Sequence, residues 1–363
     1  MQKQRLISLD AFRGYTIAAM LLVNFPGSWD HVYFQLQHTE WNGLSFTDLI
    51  APFFLFIVGV SISFSYSKIK NETGSKAGVY RKIIIRALKI FAVGMFLNLM
   101  PFFNLNEIRW TGTLHRIAIV FLTSSVLFLN TNWKQQIWIG CGMLILYWLV
   151  MMTIPTPGIG EVVLEPGRNI AAWIDSQYLP GKMWQGTWDP EGILSTFPSI
   201  VTCICGMLVG TLLQTNLSDS IKINYLMSFG VASSIIGFFV GLSFPINENL
   251  WTSSFVLITS GFAALVLGAM YFRIDILKKI GGSSVGVIFG SNAITVYVLG
   301  DILALLFYGV KLGDHSFNEH VVMGLIKLSV PPNLASVLYA IFFVSINFIP
   351  AYILYKKKMF IKI

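Results

Sequence analysis

The 363 residues are 55% hydrophobic and only 12% charged, with a mean hydropathy of +0.69. A soluble domain needs a largely polar surface, so this composition excludes one and points to a polytopic, all-α membrane protein. The net charge of +8 is of the size that basic loops facing an anionic inner leaflet would carry, and it calls for no nucleic acid.

A membrane-crossing helix takes about 20 mostly apolar residues. In chain order such stretches lie near residues 9–26, 46–67, 83–103, 112–130, 136–153, 193–214, 223–244, 251–271, 284–308 and 334–355, whereas Phe317–Val330 is too short and interrupted. The expectation is a single transmembrane domain, residues 1–363, of about ten helices. Its one long outer loop runs over about 153–194. Asp10 and Arg13 interrupt the first span and no small-residue cleavage site follows it, so it should stay in the mature chain.

Lys and Arg are retained on the cytoplasmic side. With the N-terminus inside, the inner loops and tails hold Lys3, Arg5, Lys68, Lys70, Lys76, Arg81, Lys82, Lys134, Lys222, Arg273, Lys278, Lys279, Lys356, Lys357, Lys358 and Lys362. The outer loops hold only Arg109, Arg168, Lys182, Lys311 and Lys327. Both termini are therefore expected in the cytoplasm, in a multi-pass protein of the cell's inner (cytoplasmic) membrane. The same reading puts His31, His38, His115, His315 and His320 on or near the outer face. Cys141, Cys203 and Cys205 fall inside apolar stretches and lack disulfide or zinc spacing, so no metal is expected there.

Polar groups near apolar spans pair, line a cavity or meet a substrate, because leaving them unsatisfied is costly. Asp10 and Arg13, three apart on one helix face, can pair. Arg86 and Lys89 have the same spacing but like charge, so they need an external anion: lipid phosphate, or a phosphate-bearing ligand from the cytosol. On the outer side Asn24 ends the first span, His38 and Asp48 flank the second, and His115 and Arg116 open the fourth. Asn292 and Asp301 lie within the ninth. The outer loop carries Trp173, Trp184 and Trp188 among prolines and acids. They read either as an interfacial aromatic belt or as a platform on which a sugar stacks.

A lone interfacial histidine is more often structural than catalytic. His38 is accompanied by the carboxylate of Asp48 and the amide of Asn24. A carboxylate that orients an imidazole, with an amide for a developing oxyanion, is the equipment of acyl transfer to an amine or hydroxyl.

Several runs carry a resemblance to a known family. They are Arg5-Leu6-x-Ser8-x-Asp10-x-Phe12-Arg13-Gly14, His38-x-x-Trp41-Asn42-Gly43-Leu44 with Asp48-Leu49 and Pro52, and Gly112-x-Leu114-x-Arg116. Asp189-Pro190-Glu191-Gly192-Ile193-Leu194, Pro245-Ile246-Asn247-x-Asn249-Leu250-Trp251 and Asn292-x-Ile294-x-x-Tyr297-Val298 follow in order. Together they resemble the heparan-α-glucosaminide N-acetyltransferase family of transmembrane acyltransferases, including its bacterial members. The resemblance implies transfer of acetyl from cytosolic acetyl-CoA, as co-substrate, to an amino sugar of glucosamine type on the outer face. It makes His38 the catalytic histidine and Asn24 its partner; Asp48 joins them on the reading of the residues alone, as the carboxylate that orients the ring. For the phosphates of the donor the candidates are Arg13, Arg86 and Lys89, then Arg5 and Ser8. For the sugar they are Trp41, Asn42, Arg116, Asp189, Glu191, Asn249 and Asn292. The chain departs from the family pattern in a longer segment between Asn24 and His38, and in His115 where the family often has Gln. Membrane lipid is a further expected partner, and a homodimer stands as an open alternative. Two rival functions share many of these features: a sugar transporter or flippase, and an O-acyltransferase acting on a glycan.

Overall fold

In a computed structural model the described residues are 6–361 apart from 71, 73, 101, 102, 105 and 106, so Arg5, Lys3 and Lys362 lie outside them. The helices are α1 Ile7–Asn24, α2 Ile50–Lys70, α3 Ala77–Leu99, α4 Thr113–Asn130, α5 Trp133–Thr153, α6 Ile170–Tyr178 and α7 Ile193–Leu213. They continue as α8 Asp219–Gly241, α9 Ser253–Met270, α10 Ser283–Ser291, α11 Ala293–Gly309, α12 Phe317–Lys327 and α13 Pro332–Lys356. The only strands among the described residues are β1 Lys311–Leu312 and β2 His315–Ser316, a short antiparallel pair.

Every expected span contains a helix. Seven helices are long and apolar enough to cross a membrane by themselves: α2, α4, α5, α7, α8, α9 and α13. α1, with Asp10 and Arg13, and α3, with Arg81, Lys82, Arg86 and Lys89, are the more polar members. α12 is too short to cross, as expected for 317–330; its start is secured by a capping box between Ser316 and Glu319.

The ninth stretch is not one straight span. α10 and α11 meet at 83° around Asn292, which leaves helical geometry at φ −134° and ψ 42°. The interruption exposes backbone groups that hydrocarbon cannot satisfy. Here the segment after α13 fills the gap, because Asn292 Nδ2 donates to Met359 O at 3.0 Å and Asn292 Oδ1 accepts from Ile361 N at 2.8 Å.

The residues group into two compact units. The first comprises 1–38, 45–50 and 269–363, so it joins α1 to α10–α13. Within it α1 packs on α10 so closely that a Cβ on Gly14 would lie 1.7 Å from Gly286 O, and one on Gly290 would lie 2.0 Å from Asp10 O. Small residues permit this backbone approach, which is how helices associate where no hydrophobic drive separates them from lipid. Arg13 Nη1 lies 3.3 Å from Asp10 Oδ1 and 3.4 Å from Gly290 O, so the expected pair is present and also spans the crossing. The start of α1 is capped from far along the chain. Asp275, on the π-helical turn Tyr271–Ile276, accepts Ile7 N at 3.1 Å and Ser8 N at 3.0 Å. An anionic acceptor at a helix N-terminus satisfies orphan N–H groups and complements the helix dipole.

The second unit comprises 39–44 and 51–268. α7 is its hub, touching α4, α5, α6 and α8. Tyr147 and Met151 of α5, Ile170 and Ala171 of α6, Phe244 and Leu250 form a buried cluster that anchors the 153–194 loop from within. All three cysteines are free thiols.

Candidate active site

His38 and Asp48 both belong to the first unit, at the two ends of the segment that leads into α2. Asp48 sits in the single helical turn Thr47–Leu49, where its side chain is fully buried. A buried carboxylate needs hydrogen bonds on both oxygens. Oδ1 lies 2.8 Å from His38 Nδ1, and Oδ2 accepts Ser45 N at 2.8 Å. Ser45 returns the contact through Oγ, which accepts Asp48 N at 3.3 Å. The histidine side chain, by contrast, is 56% exposed. An acceptor on Nδ1 selects the tautomer with the proton there, so Nε2 is the nitrogen suited to exchange a proton with a substrate. The arrangement orients an imidazole from behind and presents it in front.

Asn24 ends α1 half-buried, and among the described residues no hydrogen bond ties it to His38 or Asp48. The amide expected beside the pair is thus not joined to it. Ser8 is fully buried, with a hydroxyl that finds no partner among the described residues. It sits in the packing of α1, not at a surface where a phosphate could reach it. Arg86 and Lys89 are exposed on α3, and the Arg86 guanidinium lies over the Phe121 ring at 4.9 Å.

The second unit holds a denser polar cluster. Arg109 Nε and Nη2 grip Asp189 Oδ2 and Oδ1 at 2.7 and 2.6 Å, and Nη2 also meets Glu191 Oε2 at 2.6 Å. Thr111 Oγ1 and Trp184 N donate to Asp189 Oδ2 at 2.6 and 3.0 Å. Burial alone would raise the Asp189 carboxyl, but the Arg109 fork, Thr111 and the Trp184 amide outweigh it and hold the group down at about 2. Burial likewise works against the charge on Arg109, and its hydrogen bonds and the two carboxylates reverse that, raising its pKa. Arg116, at the start of α4, is 5% exposed. Its Nη2 donates to Pro190 O and Ser195 Oγ, the guanidinium lies 4.7 Å from the centre of the Trp251 ring, and Nε has no partner among the described residues. Nearby, buried Asp175 of α6 accepts Ile193 N at 2.9 Å at the start of α7. Burial pushes Asp175 up to about 6 despite that bond.

A family model described as "Heparan-alpha-glucosaminide N-acetyltransferase, catalytic" matches residues 5–241. The chain belongs to that family. Heparan-alpha-glucosaminide N-acetyltransferases of Mus musculus and Homo sapiens are each 28% identical to it, over 99% of this chain and 60% of their own length. The chain therefore spans about three fifths of the length of these curated relatives.

The stretch matched to the heparan-alpha-glucosaminide N-acetyltransferase family contains both His38 and Asp48, and also Arg109, Arg116, Asp189 and Glu191. Of the residues singled out for the sugar, several are occupied by the fold. Trp41 donates from Nε1 to Leu164 O at 2.9 Å and stands edge-on to Trp188, ring centres 5.2 Å apart. Asn42 Oδ1 and Trp41 O both receive Asn247 Nδ2, at 3.2 and 2.8 Å. Asn292 is held by Met359 and Ile361, and Asp189 and Glu191 serve Arg109. Asn249 is half-buried and makes no side-chain hydrogen bond among the described residues. His115 is buried beneath Gly94 and edge-on to Phe91 at 4.5 Å. Two residues of weight were not singled out by the sequence. Arg109 read only as an outer-loop charge, although an Asp-Pro-Glu run needs a cation and the outer loops offer few; Asp175 gave no signal.

Proposed function

We propose that this chain is a transmembrane N-acetyltransferase that moves acetyl from cytosolic acetyl-CoA to an amino sugar of glucosamine type on the outer face. The observation that carries the reading is the 2.8 Å contact between a half-exposed His38 ring and a fully buried Asp48. In this mechanism Nε2 of His38 takes a proton from the sugar's ammonium group, and the freed amine attacks the thioester carbonyl. As the tetrahedral adduct collapses, the carbon–sulfur bond breaks, the imidazolium returns a proton to the departing CoA sulfur, and the second ammonium proton leaves the new amide nitrogen for solvent. Asp48 keeps the ring in one tautomer and stabilises its charged form. A two-step route through an acetylated imidazole uses the same atoms.

The donor's nucleotide end carries several charges and stays at the inner surface, where Arg86 and Lys89 are accessible cations. Arg13 is the third candidate, already engaged by Asp10 and Gly290 O. Reversing Arg86 and Lys89 together is expected to raise the acetyl-CoA concentration for half-maximal rate and to leave the dependence on sugar unaltered. Normal acetyl-CoA dependence would make them lipid anchors. A reporter after Lys358 should read cytoplasmic and one near Gln177 external; the opposite pattern would overturn the sidedness.

The deciding test is release of CoA from acetyl-CoA by purified protein when glucosamine is added. No release with amines but release with hydroxyl acceptors would favour an O-acyltransferase, and sugar movement across proteoliposomes without CoA would favour a transporter. The broken α10–α11 pair is the feature a transporter would use, but its polar hinge is taken up by the chain's own Met359 and Ile361.

A further inference from the structure

The three tryptophans of the outer loop have different fates. Trp173 packs against the Tyr147–Phe244 cluster, and Trp188 is 9% exposed behind Trp41. Trp184 is 67% exposed. An exposed indole on a flexible loop would need no account, but this one is held from two sides. Its backbone N–H is bound by Asp189 Oδ2 at 3.0 Å, and the Arg109 guanidinium lies 5.0 Å from the centre of its ring. Arg109 is itself gripped by Asp189 and Glu191. The flanking turn is stitched down as well, with Gly186 N on Met183 O and Gln185 N on Trp188 O, both at 3.1 Å.

A second exposed indole belongs to the same neighbourhood. Trp110 follows Arg109 and is 43% exposed. The backbone of 108–109 pairs with that of 181–182, through the bridge Arg109–Gly181 and Lys182 N to Ile108 O at 3.1 Å. This pairing requires glycine at 181: its φ is +77°, and a Cβ there would lie 2.1 Å from Ile108 O and 3.1 Å from Trp110 Cδ1. Tyr178, 68% exposed, precedes that pairing by three residues. The rim carries Lys182, Gln185 and the partly accessible Glu191, which are hydrogen-bonding groups for hydroxyls.

Rigid aromatic faces with a polar rim suit ligands whose one face is C–H and whose edge is O–H, because no ordering of the protein offsets the contact. We propose that Trp184 and Trp110 form a carbohydrate-stacking subsite for sugar units of an oligosaccharide acceptor. This rests on the reading of the acceptor as an amino sugar. It extends that reading from a single sugar to a chain of them.

The test is equilibrium binding of a glucosamine tetrasaccharide and of glucosamine to the full chain in lipid nanodiscs, without acetyl-CoA. The wild-type protein should bind the tetrasaccharide more tightly than the monosaccharide. In Trp184→Ala the ratio of the two affinities should fall roughly three- to tenfold, the scale of one aromatic stacking contact. Trp184→Phe should recover part of it. Unfolding of both variants should match wild type, since the side chain is mostly outside. Equal affinities for the two sugars, or an unchanged ratio in Trp184→Ala, would overturn the proposal. So would quenching of the Trp184 fluorescence, taken as wild type minus Trp184→Phe, by brominated lipid, which would make the residue an interfacial anchor. Because binding is read without turnover, a protein that binds the tetrasaccharide through Trp184 yet releases no CoA would refute the transferase and leave this subsite standing.

Discussion

His38–Asp48 and Arg109–Asp189 both set a nitrogen group against a buried carboxylate, yet they are built for opposite ends. In the first, the imidazole is 56% exposed, and its carboxylate meets one ring nitrogen and the amide of one turn. In the second, the cation is 19% exposed and is shared by two acids, while a hydroxyl and a loop amide close the remaining valences. A polar pair with an open face can meet a reactant. A polar pair whose hydrogen bonds go to its own chain holds that chain together, and the contrast separates chemistry from scaffold more cleanly than residue type does.

The sharpest way to break that contrast is His38→Ala. Acetyl transfer, measured as CoA release, should fall by at least about a hundredfold, the lower end for a lost general base, while stability drops by only about 1–3 kcal/mol from the Asp48 oxygen left without its ring partner. A fully active variant would remove His38 from the mechanism. Arg109→Ala should do the reverse. It strands the buried Asp189, so a destabilisation of about 3–5 kcal/mol is expected in denaturant unfolding. A variant as stable as wild type would deny the cluster its structural role.

Asp48→Asn sits between the two. The amide keeps the shape but offers the ring a weaker partner and leaves buried groups poorly matched, so loss of activity should come with about 1–3 kcal/mol of lost stability. Activity lost with stability intact would mean that Asp48 acts on the reactants themselves. The smallest effect is read in pH. Asp175, pushed up to about 6 in the fold, binds its proton more tightly there than when unfolded. Stability from this group is therefore full in acid and falls as pH rises from about 4 to about 6, by up to about 3 kcal/mol. Asp189, held at about 2, works oppositely, and its contribution is lost only as pH falls below about 4. Asp175→Asn should flatten the stability profile between pH 4 and 6; an unchanged slope would place the titration elsewhere.

The helices and the His38–Asp48 pair were legible because their signals are local: apolar runs about a helix long, and two polar groups ten residues apart at the mouth of one. What escaped depends on distant partners. Asp275 caps residues 267 and 268 positions away, and Arg109 finds Asp189 80 positions on. The bend at Asn292 lies between two stretches that are both apolar, and its closing contacts come from 67 and 69 residues later. Likewise the spacing of Trp173, Trp184 and Trp188 carries no hint that only one faces outward, because α6 turns the first into the core.

The seam between α1 and α10 also has a history in time. α1 leaves the ribosome well before its partner, because the glycines against which it closes, Gly286 and Gly290, are made about 270 residues later. At about 5–20 residues per second that is on the order of ten to fifty seconds. Throughout this interval Asp10 and Arg13 must be tolerated by lipid or by the insertion machinery with only each other for company. A slower ribosome or a longer second unit would prolong that exposure, so this seam is where biogenesis of the protein should be most sensitive to quality control.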